Sequence, residues 1–250
     1  MKLKEKVAIV TGGARDLGRA ISLKLAKEGA KVVINYYDNP EDAEETLKMV
    51  QGLGAKGIIV QGDMTKAVDV KRIFDETVNT FGNEIHILVN VVGGLVGRKT
   101  ITEQDEEWYH FLMDVNMKSC WLCTREAVPY MPFGASIINF SSIAARDGGG
   151  PGASMYATAK GAVMTFTRSM AKELGPQGIR VNALAPGTIA TSFHDRFNTP
   201  ENRERLKGIY PLRREGDADD IADLVLFLAS DDSDYLTGTN IDINGGMFFS

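Results

Sequence analysis

Short runs of consecutive apolar, often β-branched residues alternate along this chain with longer segments whose apolar positions recur every three or four residues. The first kind occupies residues 7–11, 31–36, 57–60, 85–90, 136–141, 179–183 and 240–243. The second occupies residues 17–28, 41–53, 67–81, 105–131, 154–174 and 218–229. Continuous apolar runs, without the in–out alternation of a half-exposed sheet, suit parallel strands buried on both faces. Gly12-Gly13 closes the first run and Gly29 stops the first helical segment. Strand-then-helix order repeated in this way predicts an α/β fold, a doubly wound parallel seven-stranded sheet with helices on both faces and right-handed crossovers. No Pro- or Ser-rich linker and no internal repeat divides the 250 residues, so a single domain over 1–250 is expected. The least regular stretch, about 188–214, follows the sixth run and carries Phe193, His194, Arg196, Phe197 and Pro200. Ligands of open α/β sheets bind beyond the carboxyl ends of the strands, so this stretch is expected to be a substrate lid.

Composition narrows the function classes. Hydrophobic residues make up 44% and charged residues 24%, the balance of an ordinary globular domain. Twenty-eight basic against 33 acidic residues give a net charge of -5 without any basic block, which argues against nucleic-acid binding. No run approaches the roughly 18–20 apolar residues of a membrane span. The opening MKLKEKVAIV lacks the apolar core and cleavage site of a signal peptide. A cytoplasmic protein without a membrane partner is therefore expected. The two cysteines, Cys120 and Cys123, form a CxxC pair. No second Cys/His pair stands nearby, and His86, His110 and His194 are scattered. Two small buried hydrophobes are the better reading, and no metal is expected.

Two segments carry candidate chemistry. Between the first strand and first helix stands Thr11-Gly12-Gly13-Ala14-Arg15-Asp16-Leu17-Gly18. Backbone amides at a helix N-terminus can meet a pyrophosphate there, and glycine permits close approach. Tyr156-Ala-Thr-Ala-Lys160 sets a phenol and an ammonium four residues apart on one helical face. A tyrosine titrates near 10, and a neighbouring cation would lower that value and make it a usable acid/base.

These segments, in this order, resemble the short-chain dehydrogenase/reductase family, whose glycine fingerprint is TGxxxGxG. Thr11, Gly12 and Gly18 match it, while Asp16 replaces the middle glycine, where it could cap the following helix. Asp63 with Met64 resembles the adenine-contacting segment, Asn90-Val91-Val92-Gly93 the NNAG segment, and Asn244-Gly245-Gly246 the end of the last strand. The resemblance covers essentially the whole chain and implies a Rossmann-like fold and a nicotinamide cofactor. It implies a catalytic set in which Tyr156 gives a proton to a carbonyl oxygen and Ser142 bonds the same oxygen. Lys160 would bind the nicotinamide ribose and tune Tyr156, while Asn116 would interrupt the long helix and hold a water. Ser141, the neighbour of Ser142, should face the other side of the strand. Pro186-Gly187-Thr188-Ile189-Ala190-Thr191 resembles the segment that holds the carboxamide, through the Ile189 backbone and the Thr191 hydroxyl. Leu17, Val91 and Gly93 complete the implied cofactor contacts.

The second strand ends in Asn35-Tyr36-Tyr37, with Tyr36 where NAD-binding members have an acid. Arg15 resembles the basic residue that pairs with a 2′-phosphate, so NADP(H) is favoured over NAD(H). Arg98, Lys99, Arg146, Asp147, His194 and Arg196 border the expected pocket and favour a small polar substrate, such as a keto sugar acid. A competing reading is reduction of a 3-oxoacyl group on an acidic carrier protein, although residues 127–135 offer no Lys or Arg to dock one. A third is a catalytically idle cofactor sensor. The family resemblance also implies a homotetramer.

Overall fold

The structure, a computed structural model, describes residues 1–191 and 199–249. Its strands are β1 (Val7–Thr11), β2 (Lys31–Tyr36), β3 (Gly57–Gln61), β4 (Ile87–Asn90), β5 (Ser136–Phe140), β6 (Arg180–Pro186) and β7 (Asn240–Ile243). They form one seven-stranded sheet in the order β3-β2-β1-β4-β5-β6-β7, every neighbouring pair parallel. The helices are α1 (Asp16–Lys27), α2 (Pro40–Gly52), α3 (Ala67–Phe81), α4 (Glu106–Met113), α5 (Ser119–Ala127), α6 (Ala144–Asp147), α7 (Ser154–Leu174), α8 (Pro200–Ile209) and α9 (Ala218–Ala229). This is the doubly wound architecture expected from the apolar pattern, and the Rossmann-like fold that the family resemblance implied.

The strands from β1 to β6 feed two cores because successive side chains point to opposite faces. Ala8, Val10, Val32, Ile34 and Val89 pack on one face with Ile21 and Leu25 of α1 and Ile221, Val225 and Leu228 of α9. Ile9, Val33, Leu88 and Ile137 pack on the other with Ile73 and Phe74 of α3 and Leu122 of α5. Every residue of β1 and β5 is buried, which explains their unbroken apolar runs. Helix starts follow their caps. Asn39 accepts the Asp42 amide at α2, Asp105 the Trp108 amide at α4, and Asp217 the Asp220 amide at α9.

The expected helix over 105–131 is one rod with a fault in it. A π-helical turn, Asp114–Lys118, separates α4 from α5, and a 3₁₀ turn, Val128–Tyr130, follows. The fifth strand ends at Phe140, leaving Ser141 and Ser142 just beyond it, and the sixth runs on to Pro186. The irregular stretch 188–214 contains α8, whose sequence PENRERLKGI is too polar to show an apolar stripe. Phe193, His194, Arg196 and Phe197 lie outside the described residues. Among the described residues no helix is long and apolar enough to cross a membrane. Strand order reverses between β1 and β4, and the carboxyl ends of β1, β4, β5 and β6 meet there, where open α/β sheets place their ligands.

Candidate active site

The catalytic candidates converge at that edge. Beyond β5, Ser141 Oγ donates to the Lys160 carbonyl at 3.0 Å. Ser142 Oγ accepts the Ala144 N–H at 3.1 Å. Ser142, Tyr156 and Lys160 share a cleft of about 280 Å³ with Val91, Gly93, Leu95, Arg98 and Thr188. Lys160 Nζ donates to the Phe140 carbonyl at 2.8 Å and stands 5.9 Å from the centre of the Tyr156 ring. Asn116, buried in the π-helical turn, grips Gly94 twice. Its Nδ2 donates to the Gly94 carbonyl at 3.0 Å, and its Oδ1 accepts the Gly94 amide at 2.9 Å. A β-carbon on Gly93 would stand 2.7 Å from both Asn116 Oδ1 and Lys160 Nζ, so only glycine fits between them.

Burial sets the acid/base properties. Desolvation pushes the Tyr156 phenol above its ordinary value, with a hydrogen bond from Ser142 pulling weakly the other way. Desolvation pulls the Lys160 ammonium down to about 8. The lowering of Tyr156 by its cationic neighbour, expected from the sequence, is not what the site shows. The ammonium is turned to the Phe140 carbonyl, and both groups have lost their water. A phenol with a raised pKa holds its proton at neutral pH and is available as a donor.

The glycine turn is built for close approach. A β-carbon on Gly18 would fall 2.0 Å from the Gly12 carbonyl oxygen. Asp16 does not cap α1, since the N-cap is Arg15; Asp16 is the first residue of the helix, exposed, with φ 47. The carboxylate thus stands where a left-handed backbone would suit glycine better. Asn35 ties the turn to β2 and β3. Its Oδ1 accepts the Gly12 amide at 3.0 Å, its carbonyl accepts the Gly13 amide at 2.8 Å, and its Nδ2 donates to the Gly62 carbonyl at 3.1 Å. Arg15 and Tyr37 are exposed at this corner, and Tyr36 is half-buried. Thr11 Oγ1 accepts the amides of Val91 and Val92 at 3.0 and 3.2 Å, which fixes the segment after β4.

The other named residues divide between the cleft and the interior. Asn90 turns inward and donates to Asn139 Oδ1 at 2.9 Å. Met64 is buried against Cys123, and Asp63 Oδ1 accepts the Thr65 amide at 2.8 Å. Leu17 packs on the core, and the Ile189 side chain is buried. Thr191 Oγ1 donates to the Ile189 carbonyl at 3.2 Å. Pro186 and Gly187 line the cleft, as does Thr188, which accepts a hydrogen bond from Tyr210. Of the charged residues expected at the pocket, Arg98 and Asp147 line it. Lys99 lies 4.8 Å over the Trp108 ring, and Arg146 pairs with Asp242 at 3.3 Å. Sequence reasoning missed the supporting roles of Asn35 and Asn139. Their signal was an amide inside an otherwise apolar strand.

Cys120 and Cys123 are both free and buried, and burial pushes the Cys120 thiol up to about 12. They are packing residues, as the sequence suggested. Among the described residues no group of three His, Cys, Asp or Glu side chains could hold a metal.

Known proteins share this arrangement over its whole length. The family described as enoyl-(acyl carrier protein) reductase matches residues 12–248. A 3-oxoacyl-acyl-carrier-protein reductase of Staphylococcus aureus is 37% identical, covering 97% of this chain and 98% of its own. The short-chain dehydrogenase/reductase of Serratia marcescens BCRC 10948 superposes with a TM-score of 0.93 at 32% identity, covering 99% of each chain. A short-chain dehydrogenase of Burkholderia cenocepacia J2315, solved in complex with NADP, superposes at 0.92 with 30% identity and 99% of each chain covered. The chain belongs to the short-chain dehydrogenase/reductase family and is an NAD(P)-dependent oxidoreductase.

Proposed function

We propose that this enzyme uses NADPH to reduce the carbonyl of a small polar, sugar-acid-type compound, or oxidises the matching alcohol. The observation that carries the reading is the convergence of Ser142, Tyr156 and Lys160 on one cleft, with Asn116 behind Gly93. The β1–α1 turn fits a dinucleotide, because its contact between Gly12 and Gly18 leaves no room for a β-carbon. Gly12, Arg15, Leu17 and Gly18 would hold the pyrophosphate side. Asp63 and the Met64 backbone would hold the adenine, and Val91, Gly93 and residues 186–191 the nicotinamide side. NADP(H) is supported by exposed Arg15, by Tyr36 in place of an acid, and by similar proteins solved with NADP and NADPH.

When bound, the nicotinamide supplies or accepts the hydride. The Ser142 and Tyr156 hydroxyls hold the carbonyl oxygen, and Tyr156 gives it a proton as negative charge develops. Lys160, its ammonium bonded to the Phe140 carbonyl, would bind the nicotinamide ribose and hold the Tyr156 helix against the end of β5. Asn116 fixes the backbone at Gly94 and, with Lys160, would hold the water that returns the proton.

Reduction of 3-oxoacyl groups on a carrier protein is the second reading, favoured by relatives at 37% identity. Against it, residues 127–135 after α5 offer no cation for an acidic carrier and expose Phe133. An idle cofactor sensor would have no use for Tyr156. Exposed Tyr109, Phe111 and Trp121 on the α4–α5 rod support a homotetramer. The 188–214 segment is assigned as the substrate lid, since Thr188 lines the cleft and is bonded to Tyr210. Two free thiols suit the reducing cytoplasm. Loss of NADPH absorbance with keto sugars and keto acids, set against an acetoacetyl thioester, tests the reading. Turnover of the polar panel alone supports it; turnover of the thioester alone overturns it in favour of the carrier-protein activity.

A further inference from the structure

We propose that Arg98 is the specificity residue of the cleft and selects carbonyl substrates that carry a carboxylate; this rests on the reading of Ser142 and Tyr156 above. Arg98 lines the cleft that holds both hydroxyls, and its Nη1 donates to the Pro151 carbonyl at 2.8 Å. Its seat is made of glycine. A β-carbon on Gly150 would stand 3.2 Å from Arg98 Nη1, and one on Gly152 would stand 3.0 Å from Arg98 Cβ. The Lys99 amide donates to the Gly152 carbonyl at 3.2 Å. The loops 93–100 and 148–152 are therefore joined, and the guanidinium sits on the joint. The chain reaches that joint through Val96 at φ 61, a left-handed conformation that β-branched residues rarely adopt. Gly97 follows, where a β-carbon would be 3.1 Å from the Trp108 ring. Such strain persists where the surroundings fix it, and here it delivers Arg98 to the cleft.

Arg98 is exposed at the mouth of the cleft, and no described carboxylate pairs with it there. Arg19, Arg72, Arg146, Arg203 and Arg214 each pair with a carboxylate. Arg98 makes no ion pair among the described residues. Asp147 lines the same cleft but is out of ion-pair reach of Arg98, and its Oδ1 accepts the Gly149 amide at 2.8 Å. Pro151 occupies one N–H of a five-donor fork that matches a planar carboxylate in two parallel hydrogen bonds. A phosphate dianion calls for several convergent donors, whereas this cleft offers one guanidinium beside an acid, the Lys160 ammonium being turned to the Phe140 carbonyl. The class that fits is an oxo acid bearing hydroxyl groups, its carboxylate on Arg98 and a hydroxyl donated to Asp147.

The test compares kcat/KM for 2-, 3- and 4-oxo acids, each against its methyl ester, in the wild type, Arg98→Met and Arg98→Lys. Dihydroxyacetone phosphate against dihydroxyacetone forms a phosphate arm. For at least one pair the wild type should prefer the acid by about tenfold or more, chiefly through KM, as one charge-assisted hydrogen bond allows. Arg98→Met should bring that ratio near unity, and Arg98→Lys should restore part of it. Equal use of acid and ester by the wild type in every pair overturns the proposal. So does a ratio unchanged in Arg98→Met, or a preference for the phosphate larger than that for any acid. Turnover of neither member of any pair, thioester included, would overturn the carbonyl-reductase reading, and this proposal with it.

Discussion

The Lys160 ammonium donates to the carbonyl oxygen of Phe140, the last residue of β5, at 2.8 Å. This bond ties the helix that carries Tyr156 to the strand that delivers Ser142. It also holds a cation in a buried place, where desolvation brings its pKa down to about 8. The unfolded chain keeps this lysine near 10.4, so between those values the unfolded state binds more protons and stability rises with pH. Below pH 8 both states are charged and the burial cost is fully present. Lys160→Met lacks that dependence. Wild-type stability relative to Lys160→Met should rise by something on the order of 3 kcal/mol from pH 8 to pH 10.4, read by chemical denaturation. A constant difference across that range would contradict the burial argument.

The contact between Gly18 and Gly12 predicts a second result. Gly18→Ala forces a β-carbon into the Gly12 carbonyl and should cost roughly 1–3 kcal/mol of stability, with a loss of NADPH binding. Asp16→Gly should do the reverse, since it frees a left-handed backbone and removes a charge from the pyrophosphate side. Stability should hold or rise by up to about 1 kcal/mol, and NADPH should bind more tightly, most clearly at low salt. Thermal unfolding and fluorescence titration of NADPH check both. Weaker NADPH binding by Asp16→Gly would show that the carboxylate serves the turn.

His86 provides a pH test remote from the cleft. Its Nδ1 accepts the Val7 amide at 3.2 Å, and burial holds its pKa below the ordinary value, helped by Lys6. A histidine depressed in the folded state contributes stability above its unfolded pKa, near 6.5, and that contribution is lost as pH falls from 6.5 through the lower folded value. His86→Asn should flatten the acid side of the stability profile between pH 7 and pH 5. An unchanged profile would assign that limb to other groups.

The cysteines give a simple chemical check. With the Cys120 thiol pushed up to about 12 and Cys123 fully buried beside Met64, neither offers an accessible thiolate at pH 8. A chromogenic disulfide reagent should titrate no thiol in the native protein and both after denaturation. Rapid reaction of one thiol in the native protein would contradict the reading of the pair as buried packing residues.

Much of this fold was legible because buried parallel strands declare themselves. Residues 7–11, 31–36 and 240–243 were read to the residue, as were the helices at 67–81, 154–174 and 218–229. The Tyr156–Lys160 pair was legible because four residues along a helix return to one face. What stayed hidden depends on partners distant in sequence. Asn35 and Asn139 are polar positions inside apolar runs, and only the fold reveals that one holds the glycine turn and the other joins β4 to α7. Arg146 looked like a pocket cation until β7 brought Asp242 to it. Helix α8 has charge in place of an apolar stripe, so periodicity could not mark it. The direction of the Tyr156 shift was misjudged because spacing gives proximity to Lys160 but not the loss of water around both.

The most direct measurement substitutes Tyr156→Phe and follows NADPH binding and NADPH oxidation in the same preparation, with whichever oxo compound the wild type reduces best. Binding should stay within about threefold of the wild type, and turnover should fall by about 10²–10⁴-fold, the usual weight of a positioned proton donor. Carbonyl reduction at the wild-type rate by Tyr156→Phe would remove the acid from the mechanism and contradict the account at its centre.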